Sequence, residues 1–158
     1  MIENFERAMD FIFRWEGGIS DNPSDPGGLT ILGLASRYHA EEVAQMSRVS
    51  MAEARKIAKK VYRREYWDRC GCDDLPFPLD VIVMDTAVNM GEYPARKLLE
   101  RSSCWRDYLF RRIERYSELG RARPEFLRGW INRVLDLYRT VKVCTGAPAG
   151  HPLSTELG

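Results

Sequence analysis

Phe5, Ala8, Met9 and Ile12 recur at i, i+3, i+4 and i+7, the spacing of one apolar face on an α-helix. The helix they predict runs from about Asn4 to Glu16. It meets Gly17-Gly18, which suits the left-handed conformation at a helix C-terminus. Residues 21–28 hold two prolines and two glycines and predict a loop. A short helix is expected next, from Thr30 to Ala40.

Ser50-Met51-Ala52-Glu53 reads as a capping box. It opens a helix to about Trp67 with Ala54, Ile57, Ala58, Val61 and Tyr62 on its buried face. The most apolar stretch, Leu79 to Asn89, carries the β-branched residues of a strand. Its length and its Asn89-Met90-Gly91 ending favour a central buried helix. Pro94 suits the first position of a following helix through Leu98 and Leu99. Another helix spans about Ser103 to Leu119, stopped by Gly120. Pro124 opens the last, with Phe126, Leu127, Trp130, Ile131, Val134, Leu135 and Tyr138 at helical spacing. No hairpin is evident, so the expected class is all-α, a single unit of about seven helices. From residue 145 the tail loses its period and is expected to be disordered.

The 158 residues fit one domain, and 44% hydrophobic with 30% charged residues is ordinary for a soluble globular chain. The net charge of +1 hides an asymmetry, −4 over residues 1–50 and +5 over the rest. Basic residues crowd from Arg96 to Arg115, but Glu100, Asp107 and Glu114 are interleaved, as on a solvated helix face. Attraction to a polyanion is the sharper alternative. Without a helix-turn-helix or basic tail, no nucleic-acid partner is expected. Cys70-Gly71-Cys72 is too close-set for a metal knuckle, and His39 and His151 stand alone, so no metal is expected.

The loop after the first helix holds the chemistry. Glu16 falls in the last turn of that helix, where the macrodipole disfavours a carboxylate by roughly 0.3–1 kcal/mol. Trp15 beside it can exclude water. Both effects favour a protonated carboxyl, as a general acid needs. Asp21 and Asp25 lie in wetter loop surroundings that keep them ionised. One protonated and one ionised carboxylate in a cleft is the arrangement that cleaves glycosidic bonds.

Glu16-Gly17-Gly18, then Asp25-Pro26-Gly27-Gly28-Leu29-Thr30 and Gly33, resemble the lysozyme-like muramidases of glycoside hydrolase family 108. The Glu–Asp–Thr order, with steps of nine and five residues, is also similar to phage lysozymes. The resemblance continues through Glu65-Tyr66-Trp67, Leu75-Pro76, Asp85-Thr86-Ala87-Val88-Asn89-Met90-Gly91 and Phe126 to Val134, which look like the peptidoglycan-binding half that accompanies this family. It implies a lysozyme-like helical domain over residues 1–144, with a catalytic half at 1–70 and a shortened peptidoglycan-binding-like half at 71–144. The implied activity is cleavage of the β-1,4 bond between N-acetylmuramic acid and N-acetylglucosamine in bacterial peptidoglycan, without a cofactor. Glu16 would be the acid, with Asp25 and Thr30 placing the attacking water. Asp21 competes with Asp25 for the second carboxylate role.

Two departures stand out. Thr30-Ile31-Leu32-Gly33-Leu34 is apolar where relatives carry polar or aromatic residues, and Glu100 is followed almost at once by Ser102-Ser103-Cys104-Trp105. The shortening motivates an alternative, a non-catalytic wall-binding or phage structural module on the same fold. Asp21, Tyr38 and Asn89 are substrate-binding candidates, although Asn89 can equally cap a helix end. Asp85 reads as a cleft residue or as a buried structural carboxylate. Trp130 is assigned to the core. The start of the chain is acidic and polar, unlike a signal peptide, and no run is long enough to span a membrane. The expectation is a monomeric phage-type lysin, cytoplasmic until a holin-type pore releases it, without stable membrane insertion.

Overall fold

Phe5, Ala8, Met9 and Ile12 are all buried on helix α1, Ile2–Glu16. Gly17 ends α1 with φ +75°, a backbone state that glycine adopts without steric cost. The computed structural model describes residues 2–21 and 27–144; Asp25 and the tail expected from residue 145 lie outside them.

Next comes a small antiparallel sheet of β1 (Ile19–Ser20), β2 (Thr30–Ile31) and β3 (Leu34–Ala35). Ile19 pairs with Ile31 and Ser20 with Thr30, while Thr30 also faces Ala35 and Ile31 faces Leu34. This hairpin replaces the helix expected from Thr30 to Ala40. Its two-residue turn, Leu32-Gly33, has φ of +50° and +82°, the positive pair that a type I′ turn requires. Tertiary contacts hold Leu32 in this uncommon state: its side chain is buried, its N–H donates to Gly18 O at 2.8 Å, and its carbonyl accepts from Tyr62 Oη at 3.0 Å.

Helix α2, Ala40–Met46, leads to α3, Met51–Tyr62, where Ser50 Oγ accepts from Glu53 N at 3.3 Å as the capping box predicts. The helical path continues through a π turn, Arg63–Trp67. Trp67 is buried edge-on against Phe5, with centroids 5.3 Å apart. A short 3-10 turn, Cys72–Asp74, leads on to α4, Leu79–Met90. Every residue from Asp80 to Ala87 is buried, so α4 is the central helix foreseen, and α1 packs against it. Then follow α5 (Glu92–Glu100), α6 (Trp105–Gly120) and α7 (Pro124–Cys144), completing seven α-helices among the described residues. Pro94 is the third residue of α5 rather than the first, still within the first turn, where no intrahelical N–H is needed. Helices α6 and α7 pack together, and α6 also meets α4 and α5. Trp130 lies at the edge of the core, half-buried and stacked on Tyr116 at 5.2 Å.

Most of the basic residues of 96–115 are in ion pairs. Arg96 pairs with Glu92, Lys97 with Glu100, Arg111 with Asp107 and Arg115 with Glu118. Arg112 is fully buried. The solvated-face reading fits this pattern better than a bare cationic stripe. No helix among the described residues is long and apolar enough to cross a membrane.

Candidate active site around Glu16

The last turn of α1 docks on α7 through three consecutive residues. Arg14 Nη2 donates to Thr140 Oγ1 at 3.2 Å, Trp15 Nε1 to Asp136 Oδ2 at 2.8 Å, and Glu16 Oε1 accepts from Arg133 Nη1 at 2.7 Å. Residues 133, 136 and 140 are spaced i, i+3 and i+7, so one face of α7 receives all three. The Glu16 side chain keeps 26% of its exposure while that of Arg133 keeps 6%. Glu16 therefore stands at a boundary, with a cation behind it and solvent in front. The expected dry, unpaired carboxyl is not what forms; the cost of a carboxylate at a helix C-terminus is met by a guanidinium.

Arg133 is itself held from below. Its Nε and Nη2 both donate to Asp85 Oδ1, at 3.0 and 2.7 Å, and Arg112 Nη1 donates to Asp85 Oδ2 at 2.7 Å. Asp85 is fully buried and shared by two arginines, the environment of a buried structural carboxylate. Burial disfavours the charge on Arg133, but the attraction of Asp85 outweighs it and raises the guanidinium above its usual range, with Glu16 adding to the effect. Arg112 is raised in the same way against its own burial. Beyond Asp85, Arg112 Nε donates to Tyr116 Oη at 3.1 Å, and Tyr116 Oη donates to Asn89 Oδ1. The result is one continuous charge and hydrogen-bond relay, Glu16–Arg133–Asp85–Arg112–Tyr116–Asn89, drawn from α1, α4, α6 and α7.

From the opposite side the hairpin turn presses on Glu16. A Cβ added to Gly33 would lie 2.4 Å from Tyr62 Oη and 2.9 Å from Glu16 Cβ. Gly33 is thus required both for its positive φ and for this close approach. Tyr62 is buried, and burial, then the charge of Glu16, raise its phenol above the ordinary range.

The other expected site residues are spread around this centre. Thr30 is half-buried on β2, its Oγ1 donating to Gly28 O at 3.4 Å. Asp21 follows β1 and is exposed. Tyr38 is 75% exposed, and Asn89 is half-buried in the relay. Among the described residues, no hydrogen bond joins Glu16 to Asp21, Thr30, Tyr38 or Asn89. The sequence reading missed Arg133, Arg112 and Tyr116. The available signal was an arginine on an otherwise apolar helical face: Arg133 shares its stripe with Trp130 and Leu137, and Arg112 with Tyr108 and Tyr116. A groove of about 460 Å³ lined by Tyr93, Lys97, Arg101 and Arg115 opens beside α5 and does not include Glu16. Among the described residues no group of three His, Cys, Asp or Glu is placed to hold a metal ion.

A carboxylate at the end of a buried-face helix, facing a three-stranded sheet and backed by a helical core, defines a lysozyme-like glycoside hydrolase architecture. Comparison with known proteins agrees. Residues 9–91 match the model of the family Glycosyl hydrolase 108, and the chain belongs to that family of lysozyme-like, peptidoglycan-degrading enzymes. The structure is similar to that of Brucella abortus SagA, with a TM-score of 0.68 and 24% identity, over 95% of this chain and 100% of that one. At that identity the likeness concerns the fold. A comparison with curated proteins returned no match.

Proposed function

We propose that this chain is an N-acetylmuramidase that cleaves the β-1,4 bond between N-acetylmuramic acid and N-acetylglucosamine in bacterial peptidoglycan. Glu16 protonates the leaving glycosidic oxygen. Asp25 and Thr30 place the attacking water, with Asp21 as rival for the carboxylate role, and Asp21, Tyr38 and Asn89 contact the glycan. The observation that carries the reading is the setting of Glu16: a half-exposed carboxylate, fixed by Arg133 at 2.7 Å and closed in by the Gly33 turn. A group so held keeps one orientation toward a bound sugar, which is what general acid catalysis requires.

The biological setting proposed is a phage or prophage lysin, monomeric and released to the wall through a holin-type pore. Residues 1–70 supply the acid, and 71–144 bind peptidoglycan in a shortened form. The test is digestion of purified sacculi by wild type and Glu16→Gln, with fragments resolved by mass spectrometry. Muropeptides ending in reducing muramic acid, from wild type alone, are the expected result. Equal activity of the Gln variant removes Glu16 from the mechanism, and reducing glucosamine ends or cut peptides change the bond assigned.

A further inference from the structure

Gly129 sits inside α7, where a glycine weakens a helix relative to alanine. Its backbone is helical, so no left-handed conformation calls for it. Packing does not call for it either. A Cβ added at Gly129 meets no described atom within 4 Å, whereas one at Gly120 would press on Leu127 at 3.0 Å. Gly129 is also exposed.

Its place on α7 gives the absence of a side chain a meaning. Residues 129, 133, 136 and 140 are spaced i, i+4, i+7 and i+11, so Gly129 continues the face that receives α1. Along that face Thr140 takes Arg14, Asp136 takes Trp15 and Arg133 takes Glu16. There α1 ends. Gly129 is the next position, about 6 Å along the helix axis from Arg133, and α1 has no residue left to cover it. The chain leaves instead through Gly17 and Gly18, both exposed, where an added Cβ again meets no described atom within 4 Å. One turn further along α7, Phe126 closes the far end. It is 45% exposed, with its ring held by Arg123 at 4.8 Å and Trp130 at 5.7 Å. The result is a notch with a bare backbone floor, next to the partly exposed Glu16 carboxylate.

We propose that Gly129 is the floor of a saccharide subsite beside Glu16, where one N-acetylhexosamine of the glycan lies against the α7 backbone. A bare helix backbone admits a sugar ring closer to the Glu16–Arg133 pair than any side chain would, which is the use of glycine where a ligand approaches the main chain. A side chain at position 129 would project into the space the ring needs. The inference deepens the muramidase reading and rests on it for the identity of the sugar. It gives Gly129 contact with substrate and no part in proton transfer.

The test uses the full chain carrying Glu16→Gln, to hold glycan without cutting it, alone and with Gly129→Ala or Gly129→Leu added. Isothermal titration calorimetry with peptide-free glycan strands, released from sacculi by an amidase, gives Kd; urea unfolding gives stability. Both added substitutions are expected to raise the urea midpoint, because alanine and leucine favour helix over glycine. Kd is expected to weaken about tenfold for Gly129→Ala and further for Gly129→Leu, the size of effect one misplaced methyl group has in a fitted pocket. A Kd for Gly129→Leu within about twofold of Glu16→Gln alone, a lower urea midpoint for Gly129→Ala, or no glycan binding before position 129 is changed would overturn the proposal. Digestion of the same strands by wild type keeps the two readings apart. No reducing ends, with Kd still set by position 129, removes the glycosidase and leaves the subsite; digestion with an unchanged Kd removes the subsite alone.

Discussion

Asp85 and Arg133 provide the sharpest test of how the site is built. Two N–H groups of Arg133 reach one oxygen of Asp85 at 3.0 and 2.7 Å, and both side chains are buried. Hydrogen bonds to charged groups contribute about 1.5–3 kcal/mol each, and removing one partner of a buried pair costs about 3–5 kcal/mol. Asp85→Asn leaves two guanidiniums around a neutral amide and is expected to fall in that range. Arg133→Met is expected to match it. Its lost bond to Glu16 adds only about 0–1 kcal/mol, because Glu16 remains partly solvated. In the double variant the shared interaction is lost once, so the two costs are not additive. Urea unfolding of wild type, both singles and the double at neutral pH should yield a coupling of about 2–3 kcal/mol. A coupling below about 0.5 kcal/mol would refute the reasoning. Activity on sacculi supplies an independent readout. Arg133→Met removes the only hydrogen-bonded partner of the Glu16 carboxylate among the described residues, so kcat should fall well beyond the loss of folded protein. Arg133→Lys should rescue it poorly, since one ammonium cannot reproduce a planar fork that serves two carboxylates.

Other outcomes follow from single contacts. Gly33→Ala combines a φ of +82° with Cβ approaches of 2.4 and 2.9 Å and should cost about 2–4 kcal/mol; adding Tyr62→Phe removes the nearest clash and should restore part of it in thermal unfolding. Ser50→Ala deletes the bond to Glu53 N and should cost about 1 kcal/mol in urea while leaving sacculus digestion intact. Burial raises the Asp80 carboxyl against the bonds it accepts from Val81 N and Asn4. The folded chain therefore holds that proton more tightly than the unfolded one. This contribution is present at low pH and is lost as pH rises from the unfolded value of about 3.8 through the raised folded value. Asp80→Asn should make the urea midpoint fall less, or rise more, than wild type over that window; an unchanged pH profile would count against the raised carboxyl.

Legibility in the sequence tracked the range of the forces involved. Helix α1 and its stop were readable because a stripe of i, i+3, i+4 residues and a C-terminal glycine are local signals. So was α4, whose length and Asn-Met-Gly ending outweighed its β-branched residues. The hairpin was not readable, because its type I′ turn places a leucine at φ +50°, where Asn or Asp would have announced it. What holds Leu32 there is a buried pocket and the Tyr62 hydroxyl, 30 residues away. The relay behind Glu16 was hidden for the same reason: its contacts join residues 27, 48 and 117 positions apart.

Those separations also bear on how the two halves share one task. The family match ends at residue 91 and contains Glu16 and Asp85, but Arg112 and Arg133 lie beyond it. Without them Asp85 would be a buried, uncompensated charge, which costs several kcal/mol, and Glu16 would be a lone carboxylate on the negative end of a helix. With them the four groups balance, two carboxylates against two guanidiniums. Charge is fixed first at the fully buried Asp85 and passed outward through Arg133 to the partly solvated Glu16. Pairing at each step offsets the desolvation of the one before. The helices after residue 91 are therefore part of the scaffold that orients the carboxylate at residue 16, whatever contact they make with the glycan.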